Sequence, residues 1–158
     1  MPIRDIYELL GREQGVHVDL EAVLADKRRI HAAAPMPATI ACVEAIIRAH
    51  AGRLLLAIAS SGIRPNVTSH LAHVGLLGYF ACVVTCEDVR NGKPAPDLFL
   101  EAARRLGVPP GRCVAYEDAD IGMTAIAAAG MRGVDVRLLD GYPRWDRARV
   151  EPLSAPGR

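Results

Sequence analysis

The sequence predicts an α/β protein: a parallel β-sheet with helices on its faces, preceded by a run of helices. Two observations carry this. Short apolar runs of strand length, at 54–59, 82–85 and 112–116, alternate with stretches whose apolar residues recur at helical spacing. Residues suited to phosphate and metal chemistry, Ser60, Lys93, Glu117 and Asp118, fall at or just after the ends of those runs. That is where parallel sheets bind ligands.

Taken in order, residues 3–14 carry a helical stripe of Ile3, Ile6, Leu9 and Leu10, and Gly15 is a stop signal. Asp19 is placed to cap a second helix, 20–33, with Val23, Leu24 and Ile30 facing inward. Pro35 and Pro37 end that pair, and a third helix is predicted over 38–51. Residues 54–59 are six apolar residues in a row, short enough for a strand buried on both faces. Ser60-Ser61-Gly62 follows, then a helix over 65–75 and a strand over 82–85. Residues 96–106 read as a helix with Phe99, Ala102 and Leu106 inward and Asp97 near its positive end. A strand at 112–116, a small-residue helix at 121–129 closed by Gly130, and a strand at 133–136 complete the pattern. From Asp140 the chain is rich in Pro, Gly and Arg without apolar periodicity, which predicts a loose or only partly docked tail.

Composition narrows the function. The 158 residues fit one domain with a sizeable core, and 51% hydrophobic with 23% charged residues is ordinary for a soluble globular protein. A formal net charge of +1 gives no basic field for nucleic acid or a membrane surface, and 4% aromatic residues give no base-stacking platform. Cys42, Cys82, Cys86 and Cys113 form no Cys-x-x-Cys pair and have no histidine at zinc-finger spacing. Reduced, packed thiols suit them, and with them a cytoplasmic setting. No signal peptide opens the sequence, and no apolar run approaches the roughly 20 residues of a spanning helix.

Each candidate residue has a plain reading beside its chemical one. Ser60 and the Ser61 amide suit a phosphoryl oxygen, yet Ser-Ser-Gly also makes an ordinary turn. Lys93 sits between Gly92 and Pro94 in Asn91-Gly-Lys-Pro-Ala-Pro-Asp97. Held by prolines, it suits developing phosphoryl charge; otherwise it is a solvated loop lysine. Glu117, Asp118 and Asp120 suit a hard cation such as Mg²⁺, and equally suit the first turn of the following helix. His70 and His73, three apart on a predicted helix, read as surface histidines. His17, His31 and His50 have no partners at useful spacing.

Together these motifs resemble the haloacid dehalogenase-like superfamily of phosphatases and phosphomutases. The strand-then-serine step is 55–60, the lysine loop is Gly92-Lys93-Pro94-Ala95-Pro96-Asp97, and the acidic step is Tyr116-Glu117-Asp118-Ala119-Asp120-Ile121-Gly122. The helix-ending Ala127-Ala128-Ala129-Gly130-Met131 follows. The lysine loop with Glu-Asp-Ala is similar to the β-phosphoglucomutase-like subgroup, and residues 130–139 to its bacterial fructose-1-phosphate phosphatases. The resemblance implies a Rossmann-like core over 37–139, part of a helical cap over 1–36 and a loose tail over 140–158. It further implies a Mg²⁺-dependent sugar-phosphate phosphatase working through a phosphoaspartate. Ser60, Ser61 and Lys93 would bind the phosphoryl group, with Ser60 and Lys93 also catalytic, and Glu117 and Asp118 would hold Mg²⁺. The implied partner is a small sugar phosphate, neither nucleic acid nor membrane. β-Phosphoglucomutase chemistry is the alternative within the class, and a non-catalytic interaction module the alternative outside it.

The family opens with a strand ending in Asp-x-Asp-Gly that supplies the nucleophile, and no such motif follows an apolar run in this sequence. No residue here is therefore assigned as the nucleophile. The sequence reads as a truncated piece or a misplaced start, inactive alone. In relatives the first strand lies between the strands that end here at Ser60 and Tyr116. A gap or a forced pairing between those two is the expectation. Two more expectations follow: weak Mg²⁺ binding, and a Lys93→Ala variant that loses function but little stability.

Overall fold

The computed structural model describes Tyr7, residues 11–13, Gly15, residues 18–33 and residues 36–143. Ile3, Ile6, Leu9 and Leu10 of the first predicted helix lie outside these, as do His17 and residues 144–158. Helix α1 is Leu20–Ala33, and Asp19 caps it as expected, its Oδ1 accepting from the Ala22 amide at 3.1 Å. Ile30, however, is exposed rather than inward. Helix α2 is Ala41–His50 and begins later than the apolar pattern suggests.

The turn after α2 explains the first correction to the strands. The amides of Arg53 and Leu54 both donate to the His50 carbonyl at 3.0 Å. This turn consumes the start of the apolar run, so strand β1 is only Ala57–Ala59, and Leu54 and Leu55 are about 60% exposed instead of buried on both faces. Helix α3 (Arg64–His73) returns the chain to β2 (Cys82–Val84), which pairs parallel with β1 through Ala57↔Cys82, Ile58↔Val83 and Ala59↔Val84. Helix α4 (Asp97–Leu106), β3 (Val114–Glu117), α5 (Asp120–Ala128) and β4 (Arg132–Asp135) follow, with β4 parallel to β3. Strand β4 starts at Arg132 rather than Gly133, the Arg132 amide donating to the Cys113 carbonyl at 3.2 Å, and it ends at Asp135 because Val136 already opens a short 3-10 turn.

Among the described residues the architecture is thus α/β with parallel strands, in two two-stranded sheets, β1–β2 and β3–β4. No ladder joins β1 to β3, which is the gap expected there. Helix α4 ties the halves together. Its neighbours Leu98 and Phe99 are about 100° apart around the helix and serve different cores. Leu98 packs with Val84 and Ala102 over β1 and β2, while Phe99 packs with Ala125, Ile126 and Ala129 of the α5 region. Ala59 touches both clusters. Fully burying a side chain such as Leu98 or Ile126 contributes about 1.5–3 kcal/mol. Among the described residues no helix is long and apolar enough to cross a membrane.

Candidate active site

The ends of β1 and β3 open onto one cleft of about 470 Å³. Ser60, Ser61, Lys93, Glu117 and Asp118 all line it, while Asp120, the third acid considered from sequence, does not. Two sheets and a loop bring the five together.

On the first side, Ser60 leaves β1 with its amide still bonded to the Val84 carbonyl at 2.9 Å. Its Oγ accepts from the Gly62 amide at 3.1 Å, which fixes the hydroxyl oxygen and leaves its proton free to donate. A Cβ on Gly62 would crowd the Val67 side chain at 3.0 Å and the Ser60 Oγ at 3.3 Å, so glycine suits this tight loop.

The lysine loop is closed by a clasp. Asp97 Oδ2 accepts from both the backbone amide and the side-chain amide of Asn91, at 3.2 and 3.1 Å. Lys93 projects from the loop, which contains a cis Lys93–Pro94 bond, and its Nζ lies 5.2 Å from the Phe99 ring centroid. The same Nζ meets Glu117 Oε2 at 2.5 Å, with the two side chains 11% and 9% exposed. Lys93 is therefore not a solvated loop lysine. It is one half of a buried pair that ties the loop before α4 to the end of β3.

Glu117 is held on both oxygens. Oε1 accepts from the Ala119 amide at 3.1 Å and from the Asp118 amide at 3.3 Å. Its carboxyl lies where a Cβ on Gly122 would stand, so the glycine in the first turn of α5 is the cradle for this side chain. Asp118 and Asp120 differ. Asp120 pairs with Arg137 at 2.7 Å, and Arg137 also takes Asp135 at 2.7 Å. Asp118 accepts from the Tyr142 hydroxyl at 3.0 Å. Burial first, and the Asp118 carboxylate next, push the Tyr142 phenol above its ordinary value.

Donor chemistry at Glu117 and Asp118 is oxygen only, which fits a hard cation in type. Among the described residues no group of three or more His, Cys, Asp or Glu could hold a metal. His70 and His73 belong to no such group among the described residues.

The profile of the haloacid dehalogenase-like hydrolases matches residues 3–130. The chain belongs to the haloacid dehalogenase-like hydrolase family. It is 46% identical over 94 residues to fructose-1-phosphate phosphatase YqaB of Escherichia coli, covering 60% of this chain and 50% of that one. It is 37% identical over 92 residues to β-phosphoglucomutase of Bacillus subtilis, covering 54% and 41%. Among solved structures, a conserved haloacid dehalogenase-like protein of unknown function from Agrobacterium tumefaciens superposes with TM-score 0.65 at 25% identity, covering 85% of this chain and 62% of that one. The chain spans about half or less of the length of the two curated relatives. Within this family's α/β core, four features of the site were not singled out from sequence: the Asn91–Asp97 clasp, the Gly122 cradle, Arg137 and Tyr142. The first two left a signal, since Asn91 and Asp97 bracket the lysine loop and Gly122 ends the acidic step. Tyr142 left none beyond the turn residue Gly141 before it.

Proposed function

We propose that this chain carries the phosphate- and cation-binding part of a Mg²⁺-dependent sugar-phosphate phosphatase, with a fructose-1-phosphate-like substrate. The supporting observation is that Ser60, Ser61, Lys93, Glu117 and Asp118 line one cleft at the carboxyl ends of β1 and β3. The similarity to fructose-1-phosphate phosphatase YqaB favours that substrate class.

In this reading the Ser60 hydroxyl, already oriented by Gly62, donates to a phosphoryl oxygen, and the Ser61 amide donates to another. Lys93 spends one donor on Glu117 and offers the others to the phosphoryl group, as a fixed cation that needs no reorganisation. Glu117 and Asp118 are the groups that would hold Mg²⁺, which supplies neutralisation of phosphoryl charge. Phosphoryl transfer is mostly positioning and electrostatics, and these residues supply both. They do not supply an attacking group. With no Asp-x-Asp-Gly after an apolar run in this sequence, the chain by itself is proposed to bind phosphate without turning it over. The four free cysteines suit a cytoplasmic setting.

The similarity to β-phosphoglucomutase supports a second reading, a mutase that returns the phosphoryl group to the sugar. Incubating a form extended by a strand bearing Asp-x-Asp-Gly with fructose 1-phosphate and β-glucose 1-phosphate separates the two. Free phosphate from the ketose ester is expected. Isomerised glucose phosphate without phosphate release would establish the mutase. Failure of this chain to bind inorganic phosphate, with Lys93→Ala as control, would leave a non-catalytic module.

A further inference from the structure

The three acids of the Glu117-Asp118-Ala119-Asp120 step have different partners. Glu117 meets Lys93 and Asp120 meets Arg137, both cations. Among the described residues the Asp118 carboxylate has one hydrogen-bond partner, the uncharged Tyr142 hydroxyl. Asp118 is thus the acid whose negative charge is oriented without being neutralised. A phenol can fix a carboxylate through one oxygen, here Oδ2, without neutralising it, and leave Oδ1 to a cation.

Tyr142 reaches this position through a built turn. Its amide donates to the Leu139 carbonyl at 3.1 Å, and Gly141 has φ 79°, a left-handed value that favours glycine. The turn rests on α2, where the Cys42 Cβ lies 4.0 Å from the place a Gly141 Cβ would occupy. Tyr142 lines the cleft together with Val43 of α2. It also lies beyond residues 3–130, the part matched by the family profile.

We propose that Tyr142 is a positioning residue that holds the Asp118 carboxylate in the rotamer competent to bind a divalent cation in the cleft. This rests on the reading of Asp118 as a cation ligand. Outer partners of ligating carboxylates typically account for 10- to 100-fold in metal affinity. Tyr142→Phe keeps the ring and its packing and removes only the hydroxyl.

The test is Mg²⁺ titration of the full chain followed by the backbone amide shifts of Asp118 and Ala119, beside thermal melts without Mg²⁺. Wild type, Tyr142→Phe and Asp118→Asn are compared. The expected result is a dissociation constant raised about 10-fold or more in Tyr142→Phe with an unchanged melting temperature. A merely structural tyrosine would move the melt instead. Unchanged affinity in Tyr142→Phe, with binding lost in Asp118→Asn, overturns this inference alone. Tighter binding in Tyr142→Phe also overturns it, since the hydroxyl would then compete with the cation. Full binding by Asp118→Asn, or none by wild type, overturns both this inference and the cation reading of the site.

Discussion

At the β1–β2 half, the Val83 carbonyl accepts from Arg64 and Arg105, at 3.0 and 3.3 Å. Both arginines also hold Asp88, at 2.5 and 2.7 Å, and Asp88 further accepts from the amide and hydroxyl of Thr85. Charge therefore covers an edge of β2 that would otherwise offer itself to another strand. On the β3–β4 half the ion pairs sit at the end of β4 instead, where Arg137 joins Asp135 to Asp120 at 2.7 Å each. Strand β3 alternates, with Ala115 in the core and Val114 and Tyr116 about 45% and 43% exposed. Two parallel two-stranded sheets are thus finished by different means. One is locked from outside by an ion network. The other is secured from inside, by α5 and by the Lys93–Glu117 tie. The functional groups follow that division: the serine loop leaves the locked half, and the acids leave the half secured from within.

Cutting the tie gives the largest expected effect. Lys93→Ala would leave Glu117 charged and 9% exposed without its cation. Removing one partner of a buried pair typically costs about 3–5 kcal/mol. This revises the expectation that only function would suffer, since proline shapes the loop but the pair joins it to β3. Chemical denaturation of Lys93→Ala measures the loss, and Lys93→Ala/Glu117→Gln is expected to recover much of it. A single variant as stable as wild type would mean the pair is solvated in solution.

Gly122→Ala attacks the same half by crowding. A Cβ there meets the Glu117 carboxyl, and overpacking of this kind costs about 1–3 kcal/mol. Gly111→Ala, where a Cβ meets nothing within 4 Å, is the control. Phosphate binding should weaken in Gly122→Ala and hold in Gly111→Ala.

The locked half should reveal itself by pH. Hydrogen bonding to Arg105, then to the Thr85 amide, holds Asp88 well below its ordinary 3.8. Arg104 and then Arg105 draw Glu101 down from 4.5 to about 2. Both carboxylates are depressed in the fold, so their contribution is full above the unfolded values and is lost as pH falls through the folded ones. The melting temperature should fall between pH 4.5 and about 2. Asp88→Asn should melt lower at pH 7 and show a shallower fall in acid. Parallel acid profiles for the two proteins would count against the network.

How much of this the sequence discloses depends on the kind of interaction. Leu20–Ala33 is legible to the residue, because Asp19 and helical spacing are local signals. Ser60, Ser61, Glu117 and Asp118 are legible because they lie at or just after strand ends, and Lys93 because prolines frame its loop. The extent of β1 is not, since the His50 carbonyl draws Leu54 into a turn that composition does not encode. Nor are the partners of Lys93 and Asp118, which come from 24 residues away in each case.

The smallest expected effect probes the open face. An apolar run such as 113–116 suggests a strand covered on both sides, yet in the structure Val114 is about 45% exposed. If that face meets water, Val114→Thr exchanges a methyl for a hydroxyl at a position that keeps its β-branched shape. Surface changes of this sort stay within about 0.5 kcal/mol. Ala125→Thr, at a fully buried position on the same half, should cost far more and provides the scale. The comparison should be run at two protein concentrations. A substantial loss in Val114→Thr that grows with concentration would show that the face is covered in solution by a second copy. A loss that does not vary with concentration would show it covered from within the chain. Either result would remove the contrast between the two halves on which the open face rests.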